Sequence, residues 1–170
     1  MADREALERE FLRAVAEDQD KAAAMIAADR SLLLARYTWG GTALSYAVIE
    51  NWIAGVKCLL ERGADPNLPD DLGDTPLMYA VEQDLLECMK LLLAHGADPR
   101  ARNLYGDAIL SRAVWPVHAQ AAELLLAAGA RLEDISELHL AFLDDEPEDQ
   151  REAMLAVLRA HGWREGTESA

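Results

Sequence analysis

The chain has 170 residues, with 31 Asp and Glu against 16 Lys and Arg, for a formal net charge of −15. Apolar residues make up 51%, enough for a core and too many for wholesale disorder, and the shortage of cations argues against a nucleic-acid binder, since phosphate contact needs an excess of Lys and Arg. Ala and Leu are about a third of the residues and aromatics only 6%, so strong helix formers with few aromatic side chains point to an all-α protein.

The predicted elements repeat. Gly63, Gly96, Gly129 and Gly162 stand 33 residues apart, and so do Gly40, Gly73 and Gly106. In the same phase run Leu44, Leu77 and Leu110, then Ala47, Ala80 and Ala113, then Leu59, Leu92 and Leu125. Self-similarity at such a period marks a stacked array in which each unit is one supersecondary element.

Residues 5–36 lack the glycines but keep the phase, because Phe11, Ala14 and Ile26 fall 33 positions before Leu44, Ala47 and Leu59. They read as a degenerate N-terminal cap whose charged residues, from Arg4 and Glu5 to Asp20 and Lys21, suit an end that faces water. The opening stretch has no basic segment followed by an apolar one, so no secretory signal is expected. Nowhere do 18 apolar residues run together, so no membrane span is expected. The expected compartment is the cytoplasm, with Cys58 and Cys88 as reduced thiols acting as small hydrophobes.

Three full units follow, over residues 37–69, 70–102 and 103–134, and the second shows the pattern best. Thr75 at an N-cap accepts from an orphan amide, and Pro76 loses nothing at the first helical position, where its missing N–H would be unpaired. A short helix TPLMYAVEQ is predicted, then a second over about LLECMKLLLAH, with apolar residues at i, i+3, i+4 and i+7. Gly96 stops it, because glycine enters the left-handed cap without strain. The connection ADPRARNLYGD is rich in turn residues.

The last unit, residues 135–163, starts out of phase. Leu138 follows Leu77 by 61 residues where two periods need 66, so five are missing from the last connection. Val157 and Gly162 are back in phase, so the five return in FLDDEPEDQ, a lengthened acidic loop between the last two helices. Its acids read as a solvated loop or helix start, with Pro147 at the first helical position, or as a lobe that steers a basic partner. Residues 164–170 read as a frayed tail.

The motifs Thr75-Pro76-Leu77-Met78-Tyr79-Ala80 and Gly96-Ala97-Asp98 resemble those of the ankyrin repeat family. The first unit has Thr42-Ala43-Leu44-Ser45-Tyr46-Ala47 and Gly63-Ala64-Asp65, and the third, more weakly, Ala108-Ile109-Leu110-Ser111-Arg112-Ala113 and Gly129-Ala130-Arg131. Ser136-Glu137-Leu138-His139-Leu140-Ala141 opens the last unit in the same style. The resemblance implies an all-α ankyrin-repeat solenoid of stacked helix-turn-helix units. About three full repeats lie between degenerate N- and C-terminal caps, in a single domain over residues 1–163. Loops between units would project as fingers from one end of the stack.

No catalytic constellation can be read. Asp65 to Asp71 places oxygens on alternate positions as a calcium loop does, but lacks that loop's glycine and terminal Glu, and the repeat explains those acids. His95, His118, His139 and His161 are scattered over different units, with no metal-ligand spacing. His139 sits on the family's own His position, where a structural hydrogen bond is implied. Neither a phosphate-binding glycine loop nor a nucleophile–base pair is present. No enzyme, metal or cofactor is expected.

In proteins that resemble this one, the finger tips and the exposed side of the first helices form a concave binding face. Here the tips carry Trp39, Leu72 and Tyr105 one period apart, with Leu104 and Asp71 beside them and Asp74 and Asp107 just after the glycines. The exposed ends of the first helices carry Ile49-Glu50, Glu82-Gln83 and Trp115. Apolar tips rimmed by acids suit a basic protein. The expected function is non-enzymatic binding that masks or tethers such a partner, for example as an immunity-type inhibitor of a toxin. The alternatives are an adaptor for a regulator or metabolic enzyme and, more remotely, an enzyme or small-molecule receptor. A monomer is expected, with neither nucleic acid nor membrane as partner.

Overall fold

A computed structural model describes residues 2–164; most of the expected tail, residues 165–170, lies outside them. Among the described residues ten α-helices alternate between two rows. The first row holds α1 (Ala2–Glu17), α3 (Ala43–Ile49), α5 (Pro76–Glu82), α7 (Ile109–Val114) and α9 (Glu137–Phe142). The second holds α2 (Gln19–Ala28), α4 (Ile53–Glu61), α6 (Leu86–Ala94), α8 (Ala119–Ala127) and α10 (Glu148–Ala160). Within the rows, α3 packs on α5 and α5 on α7, while α4 packs on α6, α6 on α8 and α8 on α10. No strand occurs among the described residues, only one isolated bridge between Arg102 and Ala108. No described helix is long and apolar enough to cross a membrane.

The helices begin where the side chains predict. Thr42 Oγ1 accepts from Ser45 N–H, Thr75 Oγ1 from Met78 N–H with Pro76 at the first helical position, and Ser136 Oγ from His139 N–H. The third unit has Ala108 at this place and no side-chain cap, which is the physical content of its weaker motif. Pro147 is the N-cap of α10 rather than its first residue, so Glu148 and Asp149 occupy the first turn, where acids favour the helix dipole.

The core lies between the rows and continues from unit to unit. Leu44, Leu77 and Leu110, with Leu59, Leu92 and Leu125, are all buried, as are Phe11, Ala14 and Ile26 in the N-terminal pair. The C-terminal pair breaks the pattern. Leu158 keeps its column and is buried, but Leu138 is 63% exposed and α9 buries no residue. The five missing residues bring α9 directly after a 3-10 turn, Leu132–Asp134, in place of a finger. Its start is held by polar contacts instead: Ser136 N–H donates to Ser111 Oγ, which donates to the Asp134 carbonyl.

The turn inside each of the three central pairs is repeated to fine detail. Trp52, Leu85 and His118 N–H donate at 2.8 Å to the Ala47, Ala80 and Ala113 carbonyls. The residue before each donor is left-handed: Asn51 at φ 54°, Asp84 at 53° and Val117 at 72°. Asn and Asp tolerate that region, whereas a β-branched side chain is strained in it. Val117→Asn is therefore expected to stabilise the chain by about 1 kcal/mol, read as a higher melting temperature.

The fingers stack as closely as the helices. Gly73 and Gly106 share a φ of +84°, yet a Cβ at Gly73 would lie 2.7 Å from the Leu104 backbone nitrogen, whereas one at Gly106 would meet nothing within 4 Å. Both Ala variants carry the backbone strain; only Gly73→Ala must also push the next finger away. Chemical denaturation should show Gly73→Ala costing about 1–3 kcal/mol more than Gly106→Ala. Equal losses would remove finger stacking from the account of stability.

Candidate protein-binding face

Each finger is a closed turn. In the second, Asp70 N–H donates to the Asp74 carbonyl at 3.0 Å, and Asp70 Oδ1 accepts from Leu72 and Asp74 N–H at 2.9 Å each. In the third, Asn103 takes the same place, its Oδ1 accepting from Tyr105 and Asp107 N–H at 3.0 Å each. Neighbouring fingers join through the backbone, Asp71 N–H to the Trp39 carbonyl and Leu104 N–H to the Leu72 carbonyl, both at 3.1 Å. Arginines clamp the bases: Arg36 donates to the Gly40 and Pro69 carbonyls, and Arg102 to the Gly106 carbonyl and the Asp134 carboxylate.

Trp39 does not stand out from its tip. With φ at 56° its side chain folds back over the first helices, where the indole stacks on Tyr46 at 4.5 Å and meets Tyr79 at 6.5 Å in a tilted arrangement. It remains 42% exposed. Trp39 and Tyr79, with Ile49, Glu82 and Gln83, line an open depression of ≈ 480 Å³ on the first-helix face. Tyr46 and Tyr79 fall outside the expected contact residues, although they form a column 33 residues apart, one place after the family's His position. That column was the available signal. Its third member is Arg112.

The other tips are more exposed: Leu72 at 46%, Leu104 at 76% and Tyr105 at 75%. Asp71, Asp107, Glu50 and Glu82 also reach solvent, as does Trp115, whose ring lies 5.3 Å from that of Phe142. Asp74 does not, and this corrects its place in the expected rim. It is buried, and Arg112 donates to its two carboxylate oxygens at 2.8 and 3.3 Å while standing 3.6 Å from Glu82. Asp70 is buried as well, spent on its own turn and on the Tyr79 hydroxyl, which donates to it. Burial first, and then the Asp70 carboxylate, push the Tyr79 phenol above its ordinary range, so it stays a neutral donor.

Acid–base groups elsewhere are structural. His95 and His161 are the C-caps of α6 and α10, and His139 Nδ1 meets the Ser136 hydroxyl. Burial pushes the Cys88 thiol up to about 11 and raises that of Cys58, and both are free and buried. Among the described residues no group of three or more His, Cys, Asp or Glu could hold a metal ion.

Arg112 carries the electrostatic balance of the face, because removing it would leave Asp74 buried and unpaired. Arg112→Ala is expected to cost about 2–3 kcal/mol of stability. Asp74→Asn combined with it should recover part of that loss, as read by denaturant titration.

Comparison with known proteins agrees with this architecture. The family model described as ankyrin repeats (3 copies) matches residues 9–103 and 44–136. The crystal structure of an ankyrin repeat domain from Acinetobacter baumannii AYE is similar to this chain with a TM-score of 0.79 and 30% identity, over 92% of this chain and 83% of that one. No curated protein matches. Capped short helix pairs, left-handed stop glycines and stacked fingers thus coincide with a sequence match over most of the length, and the chain belongs to the ankyrin repeat family, whose repeats are protein–protein interaction modules.

Proposed function

We propose that the first-helix face binds a protein with a basic contact surface and masks or tethers it without catalysis of its own. The observation that supports this reading is the depression between Trp39 and Tyr79. It offers aromatic faces to a side chain that enters it, with Glu82 on its wall and Asp71 and Glu50 exposed on the same fingers and helices. A Lys or Arg is attracted both by ring faces and by carboxylates. The net charge of −15 adds long-range steering toward a cationic partner. Leu72, Leu104 and Tyr105 supply apolar contact area beside it.

In this reading the chain acts as a monomer in the cytoplasm, and covering a basic toxin as an immunity-type inhibitor is the concrete version it favours. The residues proposed for contact are Trp39, Ile49, Glu50, Asp71, Leu72, Glu82, Leu104, Tyr105, Asp107 and Trp115, of which Ile49 is half-buried; Asp74 supports them from below.

A partner recovered from the native cell should bind Trp39→Ala and Glu82→Lys at least about 30-fold more weakly than wild type, the loss typical of hot-spot positions. Association should also slow as salt is raised, since the steering is electrostatic. Wild-type affinity in both variants, with circular dichroism unchanged, would move the binding site elsewhere.

A further inference from the structure

The finger stack ends with one edge open. Each earlier edge is filled in the same way. The incoming finger donates one backbone N–H to the carbonyl of the residue before the glycine, and its second residue lies over that glycine. Asp71 does this to the first finger and Leu104 to the second. A Cβ at Gly40 would stand 2.1 Å from the Asp71 carboxylate, as one at Gly73 would stand 2.7 Å from Leu104 N.

On the third finger the corresponding acceptor is the Tyr105 carbonyl, and no donor among the described residues reaches it. Among the described residues nothing lies within 4 Å of a Cβ placed at Gly106, and Leu104 and Tyr105 are the most exposed large apolar side chains of the fingers. The cause is the five-residue deficit before Leu138: the missing residues are those that would build a fourth finger. The edge is nevertheless held in shape. Asn103 Oδ1 closes the turn, and Arg102 ties the Gly106 carbonyl to Asp134.

We propose that this edge docks a tight turn of a protein partner, which joins the stack as a fourth finger. The surface continues an interface that the chain already forms twice within itself, and that interface states what the occupant must offer. It needs a free backbone N–H for the Tyr105 carbonyl, a turn narrow enough to sit on Gly106, and an apolar side chain to cover Leu104 and Tyr105. A second copy of this chain is the less suitable occupant. The finger it would bring carries Trp39 folded away onto Tyr46, and the copy brings the same charge of −15. This inference rests on the chain being a protein-binding module, not on the Trp39–Tyr79 depression.

The test uses the isotope-labelled full chain and, as probe, a head-to-tail cyclised peptide with the sequence RNLYGD of residues 102–107. Amide resonances of Tyr105, Gly106 and Asp107 should shift and saturate, while a linear scrambled peptide leaves them in place. Gly106→Ala, whose Cβ fills the seat, should weaken binding by about tenfold or more. Leu104→Asn, which leaves the glycine backbone untouched, should weaken it as well. Glu82→Gln should bind the peptide as wild type does, which separates this edge from the concave face. Absence of shifts at millimolar peptide overturns the proposal, and so does wild-type affinity in both Gly106→Ala and Leu104→Asn. Shifts at Thr38 and Tyr105 that depend on protein concentration alone would assign the edge to a second copy instead, and overturn the heterologous partner.

Discussion

Between the caps, each first helix is six or seven residues long and each second helix nine, lengths at which an isolated helix is marginal in water. Each pair must bury its apolar face against the pair beside it, so the rest of the structure follows from neighbour contact. That is why the buried columns at Leu44, Leu77 and Leu110 and at Leu59, Leu92 and Leu125 hold their register so strictly. It is also why cohesion is quasi-one-dimensional, with each unit answering only to the next.

The same demand governs the polar residues. A stack of turns at the edge of a helical core brings many backbone groups close together, and each needs a partner. Asp70 and Asn103 satisfy the amides of their own fingers, Arg36 and Arg102 the carbonyls, and Arg112 of α7 pairs with Asp74 at the end of the second finger. Several acids that a count of charges would place on the surface are thereby consumed inside. The acids of this face that stay exposed are a narrower set, Asp71, Asp107, Glu50 and Glu82, near aromatic rings that are themselves part of the packing.

The C-terminal end shows what happens when the period is broken. Loss of five residues removes one finger, leaves α9 without a buried residue and sets Leu138 in solvent, while α10 still packs on α8. The two rows therefore end differently. The second-helix row is completed, the first-helix row ends on an α9 that buries no residue, and the finger row stops one finger short, with apolar side chains and a backbone acceptor left at the surface.

The sequence by itself determined the period, the helix starts at Thr42, Thr75 and Ser136, the stop glycines and the core columns. These depend on local capping chemistry and on burial repeated at fixed spacing, both of which are written in neighbouring residues. Only the tertiary structure decided that Asp74 is buried beneath Arg112, 38 residues away, that Trp39 lies back on Tyr46 and against Tyr79, and that Leu138 leaves the core. The local motif around each of these residues is the same whether the side chain ends in solvent or in a contact. What settles it is how the units pack: Arg112 and Tyr79 reach Asp74 and Trp39 from the following unit, and α9 closes the first row without burying Leu138, none of which a pattern within one unit contains.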